Sequence, residues 1–275
     1  MPDQRSKAAT FAELHRTGTF VVPNPWDAGT ARILSGYGFS ALATTSAGLA
    51  FSRGHADGVR LVGRDETLAN AKSIVEATHL PVTADLENGY GNTPEDVAET
   101  IRRAAEAGLV GASIEDATGE PGDEIRDFAE AVDRVTAAAE AARAQAFPFT
   151  LTARADNFFQ GRADLHDTIR RLQAFAEAGA DVLYAPALPS MDAIKAVCSS
   201  LDKPVNVLAA GPVLERSVDE LSDLGVRRIS LGSALPRAAL TAVLDAAAEL
   251  AGPGTFGFAK SALSYAESNA LLGTL

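Results

Sequence analysis

The chain has 275 residues, 47% hydrophobic and 22% charged, with a formal net charge of −12. This is ordinary globular composition, and its acidity argues against nucleic acid and membrane partners, since both anionic surfaces need a basic face. The single cysteine, Cys198, excludes a disulfide framework and a thiolate metal cage. The N-terminal MPDQRSKAATF lacks an apolar signal core, and no window holds the roughly 18 uninterrupted apolar residues of a membrane span. A soluble, cytoplasmic protein is expected.

In chain order, eight short apolar runs read as strands: 20–23, 40–45, 81–86, 111–115, 148–154, 181–185, 203–208 and 227–231. Four of them follow a helical pattern that stops at a glycine (Gly38, Gly108, Gly179 and Gly225), the expected left-handed helix stop. Three follow a proline, in HLPVTADLE, AFPFTLTARAD and LDKPVNVLAA, where proline ends a helix and tolerates the first strand position. Between strands lie amphipathic stretches such as 64–78 and 93–108, the latter opened by Thr93 as N-cap and Pro94 at the first helical position. Strict βα alternation means parallel strands. Eight units in this length predict an α/β fold of the (β/α)8 TIM-barrel type, with an open doubly wound sheet as the alternative. Stretches 234–250 and 257–272 read as extra C-terminal helices. The chain, 1–275, reads as one barrel domain whose 234–275 segment packs on the barrel or on a neighbouring subunit.

Function in a barrel collects where strands end. The first strand ends in PNPWDAG, with Trp26 a substrate-binding candidate, and the second in TTSAG, whose small residues offer backbone N–H groups for an anion. The third ends in ADLENGYG, the fourth in Glu115 and Asp116, the fifth in Arg154, Asp156 and Asn157, the sixth in the neutral YAPAL; the seventh offers Asn206. Asp85 and Glu87 alternate with Leu86, which places both on one strand face about 6–7 Å apart. With Glu115 they bring three carboxylates into a small volume, a costly arrangement unless a cation offsets it. Hard oxygen donors without histidine or cysteine select Mg²⁺ or Mn²⁺; the competing reading is helix caps and salt bridges. Arg154 either forks onto a substrate carboxylate or pairs with Glu115 or Asp156.

Absences narrow the chemistry further. No lysine falls at a strand end, which argues against a Schiff base, and no glycine-rich nucleotide loop follows a strand. Cys198 lies on a helical pattern. His55, near Asp57, could assist catalysis, whereas His15, His79 and His166 read as structural.

The succession NPWDAGTARILSGYGFSALATTSAGLAFSRGHADG, TADLENGYGN, GASIEDATGE and TARADNF resembles the isocitrate lyase / phosphoenolpyruvate mutase superfamily, from about Asn24 to Arg237. The resemblance implies that the turn Ser46, Ala47 and Gly48 binds the carboxylate and oxo groups of an oxo acid. It implies that Asp57, Asp85, Glu87 and Glu115 hold Mg²⁺ directly or through water, and that Arg154 binds the substrate carboxylate. It also implies assembly as a homodimer or homotetramer that exchanges C-terminal helices. Segment 115–132, EDATGEPGDEIRDFAEAV, carries neither the lysine-cysteine-glycine-histidine loop of the family's lyases nor the lysine-threonine-asparagine loop of its phosphonopyruvate enzymes. The expected function is a Mg²⁺-dependent C–C lyase or decarboxylase on a small 2-oxo or 2-hydroxy (di)carboxylate, proceeding through an enolate. Asp57, Glu115 and Arg154 are its catalytic candidates. Asp85 and Asn206 join Trp26, Ser46, Ala47, Gly48 and Arg154 in substrate binding. The alternatives are a P–C bond enzyme like carboxyvinyl-carboxyphosphonate phosphorylmutase and a non-catalytic 2-oxo acid binder.

Overall fold

The computed structural model describes residues 2–120 and 122–273, so the ends of the expected 1–275 unit and of its 234–275 arm lie outside the described residues. Among the described residues the strands are β1 (Phe20–Val22), β2 (Leu42–Ala43), β3 (Val82–Asp85), β4 (Gly111–Glu115), β5 (Ala117–Glu120), β6 (Asp123–Ile125), β7 (Thr150–Arg154), β8 (Val182–Tyr184), β9 (Val205–Leu208) and β10 (Val226–Ser230). Eight of them form one parallel sheet in the order β1-β10-β9-β8-β7-β4-β3-β2. Its two edges meet: the Ala43 N–H donates to the Pro23 carbonyl at 3.0 Å and Asn24 Nδ2 to the Thr44 carbonyl at 2.8 Å. The result is the expected (β/α)8 barrel.

All eight expected strands are present, several of them shorter. The runs entered through Pro81, Pro148 and Pro204 begin pairing only after the proline, which has a carbonyl to offer but no N–H. Pro81 and Pro204 accept from Leu42 and Leu183 at 3.0 and 2.9 Å. β2 stops early because Thr45 turns to cap a helix, accepting the Gly48 N–H at 3.1 Å.

Helices α1 (Gln4–Leu14), α2 (Ala28–Ser35), α3 (Ser46–Ser52), α4 (Arg64–Glu76) and α5 (Pro94–Glu106) are followed by α6 (Phe128–Arg143), α7 (Leu165–Ala178), α8 (Met191–Ser199), α9 (Val218–Asp223), α10 (Ala234–Ala251) and α11 (Tyr265–Gly273). α5 begins where expected, with Thr93 and Asp96 capping each other's backbone and Pro94 in the first turn. α7 stops at Gly179, whose φ of 112° is open to glycine at little cost. The main core lies between sheet and helices, with Leu42, Ile74, Leu86, Ile101, Leu151 and Phe175 inaccessible or nearly so. α1 was not anticipated. It closes the N-terminal end of the barrel by burying Ala8 and Phe11 against Val22, Ala41 and Val110.

The C-terminal stretch departs from one expectation. Segment 257–272 is not one helix but a 3₁₀ turn, Gly257–Lys260, followed by α11. Glu249 holds the turn by accepting from Phe258 N–H at 2.8 Å, and a reciprocal Ser264–Glu267 cap starts the second helix afresh. α11 returns to its own barrel, where Arg32 Nη1 donates to the Leu272 carbonyl at 2.7 Å. α10 buries only Pro236 and leaves Leu240, Val243, Leu244 and Leu250 exposed.

Candidate active site

A cavity of about 340 Å³ opens where the barrel strands end. Parallel register sets its wall: Asp85 lies beside Ser113, Glu115 beside Arg154 and Arg154 beside Tyr184. Asp85 is the hub. Its Oδ2 accepts from the Ser46 hydroxyl at 2.7 Å, and its Oδ1 from Arg154 Nη1 at 3.2 Å. Its own N–H is fixed by Thr44 Oγ1 at 3.0 Å.

Glu87 also lines the cavity, but not by strand alternation. β3 ends at Asp85, and Glu87 adopts a left-handed φ of 48°, a conformation that costs a non-glycine residue about 1 kcal/mol or more. The turn closes through Gly89 N–H to the Leu86 carbonyl at 2.9 Å, and the Glu87 carbonyl accepts from Glu115 N–H at 3.0 Å. The Tyr90 hydroxyl, bonded to Thr67, also donates to Glu87 Oε1 at 3.2 Å. Desolvation and then the Asp85 charge push Glu87 up to about 7. Asp57, on the exposed loop after α3, is raised for the same two reasons at the cavity rim. Burial raises Glu115 well above the ordinary range, with Arg154 opposing.

Arg154 realises the pairing alternative. Nε and Nη2 grip Asp156 at 3.2 and 2.9 Å, while Nη1 lies 3.2 Å from Asp85 and 2.9 Å from Glu115. The guanidinium stacks over Tyr184, 5.3 Å from the ring centroid. Tyr184, in the segment read as merely neutral, is thus a site residue that the sequence reading missed. Its signal was positional: in VLY it shares a strand face with Val182, pointing inward beside Arg154.

The remaining candidates divide. Ser46, Ala47 and Asn206 line the cavity; Trp26, Gly48 and His55 do not. Ser46–Gly48 is the first turn of a helix rather than a free turn, and the Gly48 N–H already serves Thr45. Trp26 packs behind it, so close that a Cβ on Gly48 would stand 2.9 Å from Trp26 Cβ. Asn206 donates to Ser230 Oγ and accepts from Arg228 Nε, both at 2.9 Å. Cys198 is half-buried on α8, its thiol raised to about 11 by burial, which makes it a poor nucleophile. The acidic segment after β4 folds as an antiparallel hairpin, β5–β6, and its Glu120 pairs with Arg60 of the Asp57 loop.

Among the described residues no three metal-ligating side chains form a ready cage. The donor set nevertheless fits a hard divalent cation: Asp57, Asp85, Glu87 and Glu115 all face the cavity, and desolvation, then repulsion from Asp85, raises the first and third of these. Asp57 and Glu87 make no ion pair among the described residues, since the Arg154 fork is spent on Asp85, Glu115 and Asp156.

Fold and cavity define a (β/α)8-barrel protein with an acid-lined mouth. A family model described as phosphoenolpyruvate phosphomutase matches residues 11–251, and the chain belongs to the isocitrate lyase / phosphoenolpyruvate mutase superfamily. It is 29% identical over 279 residues to 2,3-dimethylmalate lyase of Eubacterium barkeri, covering 97% of this chain and 94% of that protein. A solved Burkholderia cenocepacia J2315 protein, whose lyase/mutase designation is provisional, shares 52% identity at a TM-score of 0.95 over 98% of this chain and 97% of that one. The structure of oxaloacetate acetylhydrolase with its product oxalate matches at 25% identity and a TM-score of 0.89, over 99% and 96% of the two chains. Homologues in the superfamily are lyases or mutases acting on small carboxylates.

Proposed function

We propose that this chain is a Mg²⁺- or Mn²⁺-dependent lyase or decarboxylase that cleaves a C–C bond in a small 2-oxo or 2-hydroxy carboxylate through an enolate. One observation carries the reading: the mouth gathers more carboxylates than its cations neutralise, and the unpaired ones, Asp57 and Glu87, are raised toward protonation. Asp85 and Glu87, with Asp57 and Glu115, would hold the cation. The cation, when bound, supplies Lewis acidity toward the oxygen on which enolate charge develops.

The chain's own residues do the rest. Ala47 offers its N–H to the oxo-acid head beside Ser46, whose hydroxyl positions Asp85, and Arg154, held rigid by Asp156 and Tyr184, would turn Nη1 to the substrate carboxylate once Asp85 and Glu115 engage the cation, so that the scissile bond is aligned. Glu115 and Asp57, both raised by burial above the ordinary carboxylate range, are the groups placed to hold or release a proton. Asn206 and Trp26 support the cradle, from the barrel interior and from behind α3. Residues 1–275 act as one barrel unit. Its arm, 234–275, assembles dimers or tetramers by covering the exposed apolar side chains of α10 with a second copy. The single cysteine suits the cytoplasm.

The P–C alternative is less favoured, because β5–β6 brings glutamates rather than cations toward where a phosphonate would lie. Exchange of pyruvate methyl protons for deuterium, followed by NMR, tests the proposal. It predicts exchange that requires Mg²⁺ or Mn²⁺; no exchange with either metal, alongside 2-oxo acid binding without turnover, would establish a binder instead.

A further inference from the structure

The outer half of the cavity carries information that the acid cluster does not. Its rim is built from the hairpin β5–β6, which contributes Glu120 and Glu124, from Arg60 on the Asp57 loop, and from Phe159 and Gln160 after β7. Arg60 is the rim's cation, and it is already committed: its guanidinium pairs with Glu120. Its stem lies across Gly119, where a Cβ would stand 3.1 Å from Arg60 Cδ. Arg60 itself adopts a left-handed φ of 55°. Withdrawing Arg60 toward a ligand anion would leave Glu120 uncompensated in the same rim, so nothing electrostatic is gained. Glu124 has no cationic partner among the described residues and accepts only the Gly122 N–H, at 3.0 Å. Phe159 is 52% exposed at the opening, an apolar surface in a place where water would otherwise be met.

Charge over the whole cavity points the same way. Among the described residues the lining holds six carboxylates (Asp57, Asp85, Glu87, Glu115, Glu120 and Glu124) against three arginines (Arg60, Arg154 and Arg228), a formal charge of −3. A divalent cation reduces this to −1 before any substrate enters. The carboxylate of the substrate head sits against that cation and Arg154. A second anionic group at the far end would face Glu120 and Glu124 with no free cation among the described residues, and like charges repel there, an effect that solvent around these exposed side chains screens in part.

We propose that the rim formed by Glu120, Glu124, Phe159 and Gln160 selects a 2-oxo monocarboxylate with an uncharged tail that carries a hydroxyl on C4, so that the C3–C4 bond breaks to a pyruvate-type enolate and a neutral aldehyde as the C4 hydroxyl gives up its proton, and turns away substrates bearing a second carboxylate or a phosphonate. This rests on the functional reading above and narrows it to the lyase, since decarboxylation through an enolate needs the second carboxylate that the rim turns away. Phe159 covers the alkyl part, and the Gln160 side chain, which lines the cavity, is placed to meet a hydroxyl.

Calorimetric titration of the protein distinguishes the head-group cradle from the rim. Oxalate, which has a head and no tail, reports the cradle. 2-Oxovalerate and 2-oxoglutarate have the same five-carbon chain and differ at the far end by methyl against carboxylate. In Mg²⁺, oxalate is expected to bind, and 2-oxovalerate to bind about tenfold or more tighter than 2-oxoglutarate. The substitutions E120Q and E124Q should each narrow that preference to within about threefold, E120Q the more because it also frees Arg60. If oxalate fails to bind, the functional reading falls, and this inference with it. If oxalate binds but 2-oxoglutarate equals or exceeds 2-oxovalerate, this inference alone is overturned. A preference unchanged in both variants would overturn the assignment of selectivity to the hairpin.

Discussion

At the floor of the barrel Arg228 is 4% exposed, and at the mouth Asp85, Glu87 and Glu115 sit half-buried; both are charges in a confined space, provided for differently. Arg228 makes no ion pair among the described residues. Nε donates to Asn206 Oδ1 and Nη2 to Thr152 Oγ1, both at 2.9 Å, and Nη1 lies 3.4 Å from His15 Nε2. Neutral acceptors satisfy it, and burial lowers it only to about 10, so its charge is permanent at physiological pH. His15, pushed down to about 3 by burial and then by Arg228, stays neutral. The mouth acids lack such provision: one guanidinium is shared among three of them, and Asp57 and Glu87 have none. A charge whose hydrogen bonds are complete serves the fold, whereas charges left in excess are arranged for something that arrives.

That contrast can be broken at either end. The largest effect is expected at the mouth: Asp85→Ala should lower metal-dependent exchange of pyruvate protons by at least about a hundredfold. Its urea midpoint should hold or rise, because repulsion is relieved. At the floor the order reverses. Arg228→Met should cost about 2–4 kcal/mol in urea unfolding, since Asn206 and Thr152 lose the donor that satisfies them.

The pH dependence separates the two ends by sign. His15 has a folded value below its unfolded one, so the stability it contributes is present above about 6.5 and is lost as pH falls toward 3, on the order of 5 kcal/mol. His15→Gln should flatten that acid limb of the Tm profile. Glu87 has a folded value raised from 4.5 to about 7, so its contribution is full below 4.5 and is lost as pH rises through 7. Metal competes with that proton, and the Tm gain from Mg²⁺ should therefore be larger at pH 8 than at pH 6. The smallest effect on chemistry is expected away from both ends. Leu244→Glu on exposed α10 should shift the mass seen by light scattering toward monomer while changing head-group binding little.

How much of this the sequence disclosed follows from the range of the forces involved. Strand order and count were legible because periodicity, proline and glycine act locally. Asp85, Glu115 and Arg154 were legible because a strand end in a barrel fixes where a side chain goes. Glu87 reached the cavity for a different reason than alternation suggested, since a left-handed turn carries no signature when the residue is not glycine. Trp26 and Gly48 sit behind the wall, which depends on how α3 packs. Tyr184, Arg228 and the Arg60–Glu120 pair are contacts between segments far apart in the chain, and no local pattern encodes them. The break at 261–264 turned on one reciprocal cap that helical periodicity alone does not register.

The proposed divalent-cation site at the mouth carboxylates can be tested without knowing the substrate. Mn²⁺ binding to the intact protein, followed by the loss of its free-ion EPR signal, tests it directly. The account predicts saturable binding at one site per chain, weakened at least about tenfold in Asp85→Ala and strengthened as pH rises through 7. Binding that is absent in the native protein, or equally tight in Asp85→Ala, would contradict it.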